Sequence, residues 1–142
     1  MKKLNQFAKS LLTIPVLLLL AINFSACSED DPVSPQLENI SGKWDGTINH
    51  PGYDSGTITI NILQSDNNLS GSFTMRLVKN NAVSNYSGTI EGAKTSNRNF
   101  SLSLIGSNFT WISDLNLNST TLSGDWESAT SSLSGSLSVQ KN

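Results

Sequence analysis

From residue 39 onward, apolar and polar side chains alternate with a period of two, as in β-strands that have one dry and one wet face. Ile58, Ile60 and Ile62 share one side of a segment whose other side carries Thr57, Thr59 and Asn61. Leu69, Gly71, Phe73, Met75 and Leu77 stand opposite Ser70, Ser72, Thr74 and Arg76. The same rule sorts Tyr86, Gly88 and Ile90; Phe100, Leu102 and Leu104; Phe109, Trp111, Leu115 and Leu117; Leu122, Gly124 and Trp126; and Leu133, Gly135, Leu137 and Val139. Polar turn signals separate the segments: Asp66-Asn67-Asn68, Lys79-Asn80-Asn81, Thr95-Ser96-Asn97 and Asn118-Ser119-Thr120. With Gly42 to Ile48 counted, the pattern predicts eight antiparallel strands and no helix.

A Ser-Gly pair recurs in these segments, at 41–42, 70–71, 87–88, 123–124 and 134–135, and it puts each glycine on the apolar side. Glycine inside a strand loses more entropy than other residues and packs nothing, so its repetition there needs a cause. Tight coiling supplies one, because strands bend sharply where no Cβ crowds the axis of a small barrel. Closure also removes the exposed edges that an antiparallel meander otherwise leaves. The expected fold is all-β, an eight-stranded antiparallel up-and-down β-barrel over residues 39–142, with a two-sheet β-sandwich as the alternative. Its outward Ser, Thr and Asn residues belong in water and do not form the apolar outer band of an integral membrane barrel.

The first 26 residues follow a different pattern. Lys2, Lys3 and Lys9 precede an apolar run from Leu11 to Ile22 that Pro15 interrupts. A permanent span needs about 20 apolar residues, so the run fits the core of a cleaved signal peptide better. Phe24-Ser25-Ala26-Cys27 resembles the lipobox of bacterial lipoproteins, with Phe24 where Leu is usual. The resemblance implies cleavage before Cys27, lipidation of its sulfur, and membrane attachment in the cell envelope as an outer-membrane lipoprotein. Ser28-Glu29-Asp30-Asp31 with Pro32 and Pro35 then reads as a solvated tether over 27–38. An acidic run directly after the lipidated Cys also resembles the export signal of surface lipoproteins of the Bacteroides type.

Removing the signal takes three of the nine Lys and Arg residues and leaves the eleven acids, so the mature chain is net negative. That argues against a nucleic-acid partner and against electrostatic adhesion to anionic lipid. With one cysteine in the chain, there is no disulfide framework and no thiolate metal site.

Asn39-Ile40-Ser41-Gly42-Lys43-Trp44 resembles the Asn-x-x-Gly-x-Trp signature of the first lipocalin strand, and the avidins begin with a similar Gly-x-Trp. Both families are eight-stranded barrels that hold small molecules. In lipocalins the matching Trp plugs one end of the barrel under an Arg of the last strand. This chain departs from that pattern, with Asp45 after the Trp and no Arg after Arg98. Trp44, Trp111, Trp126 and Tyr86 are the candidate ligand-binding residues, set against plain core packing in a barrel whose large side chains come close to filling it.

Catalytic chemistry has little to stand on, and the expectation is a monomeric, non-catalytic protein without cofactor or metal. His50 is the only histidine, in the turn His50-Pro51-Gly52-Tyr53-Asp54, and is read as solvated. A triad with Asp54 would lack a nucleophile elbow. Asp125 and Glu127 flank Trp126 on the polar face, where exposed acids usually serve solubility, and Asp45, Asp54 and Asp66 lack calcium-loop spacing. Two functions stay open. One is a module that binds a small apolar or sugar-like ligand through the Trp-lined interior. The other is a filled barrel that meets a protein or a surface polysaccharide through its loops.

Overall fold

The computed structural model describes residues 38–142; the signal segment, Cys27 and the tether as far as residue 37 lie outside them. The alternating segments form β1 (Gly42–Asn49), β2 (Ser55–Ser65), β3 (Asn68–Lys79), β4 (Ala82–Lys94), β5 (Asn99–Ile105), β6 (Thr110–Asn118), β7 (Thr121–Ser128) and β8 (Ser134–Lys141). Each strand pairs antiparallel with the next, and β1 pairs with β8 from Trp44 opposite Lys141 to Asn49 opposite Ser136, so the sheet is a closed up-and-down barrel. That last pairing rules out the two-sheet sandwich, which would leave β1 and β8 as free edges.

The connections divide between two ends. The chain enters beside the β2–β3, β4–β5 and β6–β7 connections, here called the proximal end; the β1–β2, β3–β4, β5–β6 and β7–β8 connections form the distal end. Asparagines make the tightest distal turn. Asn80 and Asn81 have φ of 49° and 63°, both in the left-handed region that asparagine tolerates and that a two-residue hairpin matched to strand twist requires.

One continuous apolar core runs along the barrel axis. Trp44 and Phe100 near the proximal end, Phe73 at mid-height and Trp126 near the distal end are each 1 % exposed. The interior is therefore packed, as expected of a barrel just wide enough for side chains. The main recesses of the described residues open to solvent, on the outer faces of the sheet or at the distal end. The inward glycines allow the strands to coil this closely. Gly71 has φ +150°, and a Cβ there would collide with the Asn61 carbonyl oxygen of β2.

Among the described residues, two of the buried ones are polar or charged. Ser113 of β6, between Leu102 of β5 and Trp126 of β7, is fully buried, and its hydroxyl has no hydrogen-bond partner. Lys94 at the end of β4 is 8 % exposed.

Candidate functional site

The proximal end is shut. Ile40, just before β1, is buried across it, and Trp44 donates from Nε1 to the Ile40 carbonyl oxygen at 2.8 Å. The Ile40 amide donates to Gln64 Oε1, and the Gln64 amide donates to Ser41 Oγ, both at 2.9 Å, which laces the entering chain to β2. Lys141 of β8 holds its ammonium 5.6 Å from the centroid of the Trp44 ring and donates to the Asn39 carbonyl oxygen at 3.4 Å. A last-strand cation thus lies over the buried tryptophan. Lys94 does the same over Phe100, at 5.8 Å, with its own bond to the Glu38 carbonyl oxygen. Trp44 is therefore a structural stopper and takes no part in the cluster formed by the other three candidates.

Trp111, Trp126 and Tyr86 come together at the distal end, joined by three rings from the loops. Strand direction explains the grouping: β6 starts at that end and β7 finishes there, so Trp111 and Trp126 reach the same height. Their rings stack at 4.3 Å between centroids and 21° between planes. His50 lies 5.2 Å from Trp126 at 29° and 5.1 Å from Trp111. Phe109 sits 4.5 Å from Trp111 on the other side and meets the Tyr86 ring edge-on at 5.8 Å. Tyr53 stands edge-on to His50 at 5.0 Å, and its hydroxyl is 3.1 Å from that of Tyr86. The sequence of contacts closes into a circuit: His50, Trp126, Trp111, Phe109, Tyr86, Tyr53. His50 and Tyr53 were expected in a solvated turn, but both are half-buried, because the β1–β2 loop folds inward across the mouth of the barrel.

Trp126 and the loop that carries His50 and Tyr53 are held from outside the circuit. Trp126 donates from Nε1 to the Asn49 carbonyl oxygen at 3.0 Å, and Gly135 makes room for the indole. The Tyr53 amide bonds to the His50 carbonyl oxygen, and the Asp54 amide to that of Val78, which pins the loop to β3. Asp54 in turn accepts from the Asn80 amide at 2.7 Å. The hydrogen bond to Tyr86, together with burial, raises the Tyr53 phenol above the usual tyrosine range.

Five of the six rings, all but Trp126, line a recess of about 240 Å³ together with Leu77, Asn108, Ser128 at the end of β7, and Thr130, Ser131 and Leu133 of the β7–β8 connection. No Lys, Arg, Asp or Glu lines it. The side chains offer flat apolar surface, hydroxyls, an amide and an imidazole, which suits reversible binding. Asp125 and Glu127 are exposed on the outer face, away from the rim, and Asp114 lies directly opposite Asp125 across β6 and β7. Asp45, also outward, is held below the usual carboxylate range by hydrogen bonds, first from Thr59 and then from Lys43 and Asn142. Among the described residues, no three His, Cys, Asp or Glu side chains are grouped as a metal site would need.

No protein-family model matches the chain, and no curated protein matches it in sequence.

Proposed function

We propose that the protein is a non-catalytic binding module of the cell envelope, anchored as a lipoprotein through Cys27, and that it takes a small sugar-like or apolar ligand at the distal aromatic rim. The observation that carries this reading is the circuit of six rings gathered from two loops and three strands, five of which line one solvent-open recess. The placing of the longest connections agrees: the two five-residue ones, 50–54 and 129–133, are both distal, while two of the three proximal connections are two-residue turns. Binding residues concentrate on loops that a rigid scaffold positions. The described chain joins the barrel at the plugged end, opposite the rim. Interior capture in the lipocalin manner is set aside because side chains occupy the axis.

Tryptophan emission provides the test. Trp111 lines the recess and the buried Trp126 stacks on it, and a Trp44→Phe variant removes the third indole. Titration with a panel of soluble saccharides and small apolar compounds should change the emission of that variant. A panel that leaves it unchanged sinks the reading. A second occupant, a protein docked on the same rim, is favoured by Leu133 and Val83, which are 41 % and 47 % exposed at this end. A binding partner that is lost on Leu133→Ser, with no response to the panel, would select it. Cys27→Ser, with loss of the protein from the membrane fraction, tests the anchor.

A further inference from the structure

One polar group in the rim has its hydrogen assigned by a neighbour. His50 Nδ1 lies 2.7 Å from the Pro51 carbonyl oxygen. A carbonyl oxygen only accepts, so Nδ1 carries the hydrogen, and in the neutral ring Nε2 presents a lone pair. The two phenols of the rim share a single bond, which uses one hydroxyl hydrogen and leaves the other to donate elsewhere. The recess thus offers an acceptor, a phenolic donor and the hydroxyls of Ser128, Thr130 and Ser131 beside aromatic walls.

Ligand classes can be weighed against that set. An anion would find no Lys or Arg in the lining, and a cation no carboxylate; Asp54 lines the neighbouring recess and is engaged with the Asn80 amide. A purely apolar ligand would strip water from Nε2 and the hydroxyls without replacing their bonds, and a site built with hydrogen-bonding groups discriminates strongly against a ligand that leaves them unpaired.

We infer that the rim recognises a neutral hydroxylated ring, a pyranose such as the terminal residue of a glycan, with a sugar hydroxyl donating to His50 Nε2 and its C–H groups lying against the half-buried rings of Tyr53, Tyr86 and Phe109. The inference rests on the rim being the binding site and adds the ligand class and the residue that selects it. His50 is the specificity-determining residue, because it alone in the circuit combines a packed ring with an unshared acceptor.

The test uses the indole N–H signals of the barrel in nuclear magnetic resonance. Methyl pyranosides, tetrahydropyran (the same ring without hydroxyls), a methyl glucuronide and a glucosaminide are titrated separately. The expected result is a shift of the Trp111 and Trp126 signals by a neutral methyl pyranoside, with the distant Trp44 signal unmoved as an internal reference. Tetrahydropyran should bind more weakly. His50→Phe, which keeps a flat ring against Trp126, should weaken the pyranoside about three- to tenfold, the value of one hydrogen bond, and leave tetrahydropyran unchanged. Tyr53→Phe, which disturbs the loop less, should also weaken the pyranoside alone. Tetrahydropyran binding as tightly as the pyranosides, or a clear preference for the glucuronide or the glucosaminide, overturns the ligand class while the rim stands as a binding site. If none of the compounds moves the Trp111 and Trp126 signals, the binding site fails with the inference.

Discussion

Gly135→Ala should damage the barrel and its rim together. In the native chain the Trp126 indole lies across β8 so that Nε1 reaches the Asn49 carbonyl oxygen at 3.0 Å. A Cβ at position 135 would sit 2.7 Å from Nε1 and 2.8 Å from Cε2, and it would also collide with that same carbonyl oxygen. Carbon atoms settle at about 3.5–4.0 Å, so the indole must retreat by about 0.7 Å or more. Overpacking of this kind costs about 1–3 kcal/mol. A displaced indole also loses its acceptor, and a buried donor left without one costs about 1–3 kcal/mol more. The sum, about 2–6 kcal/mol, is a large part of the roughly 5–15 kcal/mol that holds a domain folded. Urea unfolding followed by far-ultraviolet circular dichroism should show the midpoint falling at constant slope. The near-ultraviolet dichroism of the stacked Trp111–Trp126 pair should weaken in the folded variant. Gly52→Ala is the control: its φ is +85°, but nothing lies within 4 Å of a Cβ there, so it bears only backbone strain of about 1–2 kcal/mol and leaves the tryptophan signal alone. Equal losses in the two variants, or an unchanged near-ultraviolet spectrum in Gly135→Ala, would refute the crowding argument.

Other perturbations probe single contacts. Ser113→Ala removes a buried hydroxyl that has no partner, so it should leave stability unchanged or raise it by up to about 1 kcal/mol in the same urea assay; a loss above that size would mean the hydroxyl is bonded. Trp44→Phe strands the Ile40 carbonyl oxygen and should cost about 1–3 kcal/mol without moving the rim indole signals. Tyr53 and Tyr86 are the only tyrosines, so Tyr86→Phe leaves Tyr53 as the sole phenol, and its ultraviolet ionisation curve should fall back toward the ordinary range. The sign for stability follows from a raised folded value. The Tyr53–Tyr86 bond stabilises fully below the ordinary tyrosine pKa and is lost as pH rises through the folded one. The variant should therefore lose less stability than the native chain on going to strongly alkaline pH, and identical alkaline limbs would count against the bond.

The barrel could be read from the sequence because period-two alternation is local and the turn residues sit at the joints. Ile58-Thr59-Ile60 or Phe100-Ser101-Leu102 assign their own faces without reference to any other strand. Ser113 shows the limit, since a serine between two outward residues looks like any other serine of this chain, and only the register with Leu102 and Trp126 places it in the core. The four candidate site residues divided for a reason the sequence also held. In an up-and-down barrel, a residue near the start of an odd strand and one near the start of an even strand lie at opposite ends. Following strand direction from Trp44 in β1 to Trp111 in β6 therefore separates them. His50 was beyond such counting. Its neighbours Trp111 and Trp126 belong to strands that do not pair with β1, so their contact depends on how a loop crosses the closed mouth.

A filled barrel and a rim site fit together physically. A ligand cavity along the axis would remove packing partners from the inward isoleucines, leucines and aromatics, and a barrel of this size has no second core to offset that loss. Here the axis is packed and the lysine-capped proximal end is shut, so the fold tolerates at the distal end what a core does not: half-buried phenols, an imidazole with an unshared acceptor and loop hydroxyls open to water. Rigidity below the rim also lowers the entropy lost on binding, because Trp111 and Trp126 are already fixed by strand pairing and by the bond to Asn49. On the proposed reading the two halves of the molecule divide the work, stability along the axis and recognition at the end that the chain does not enter.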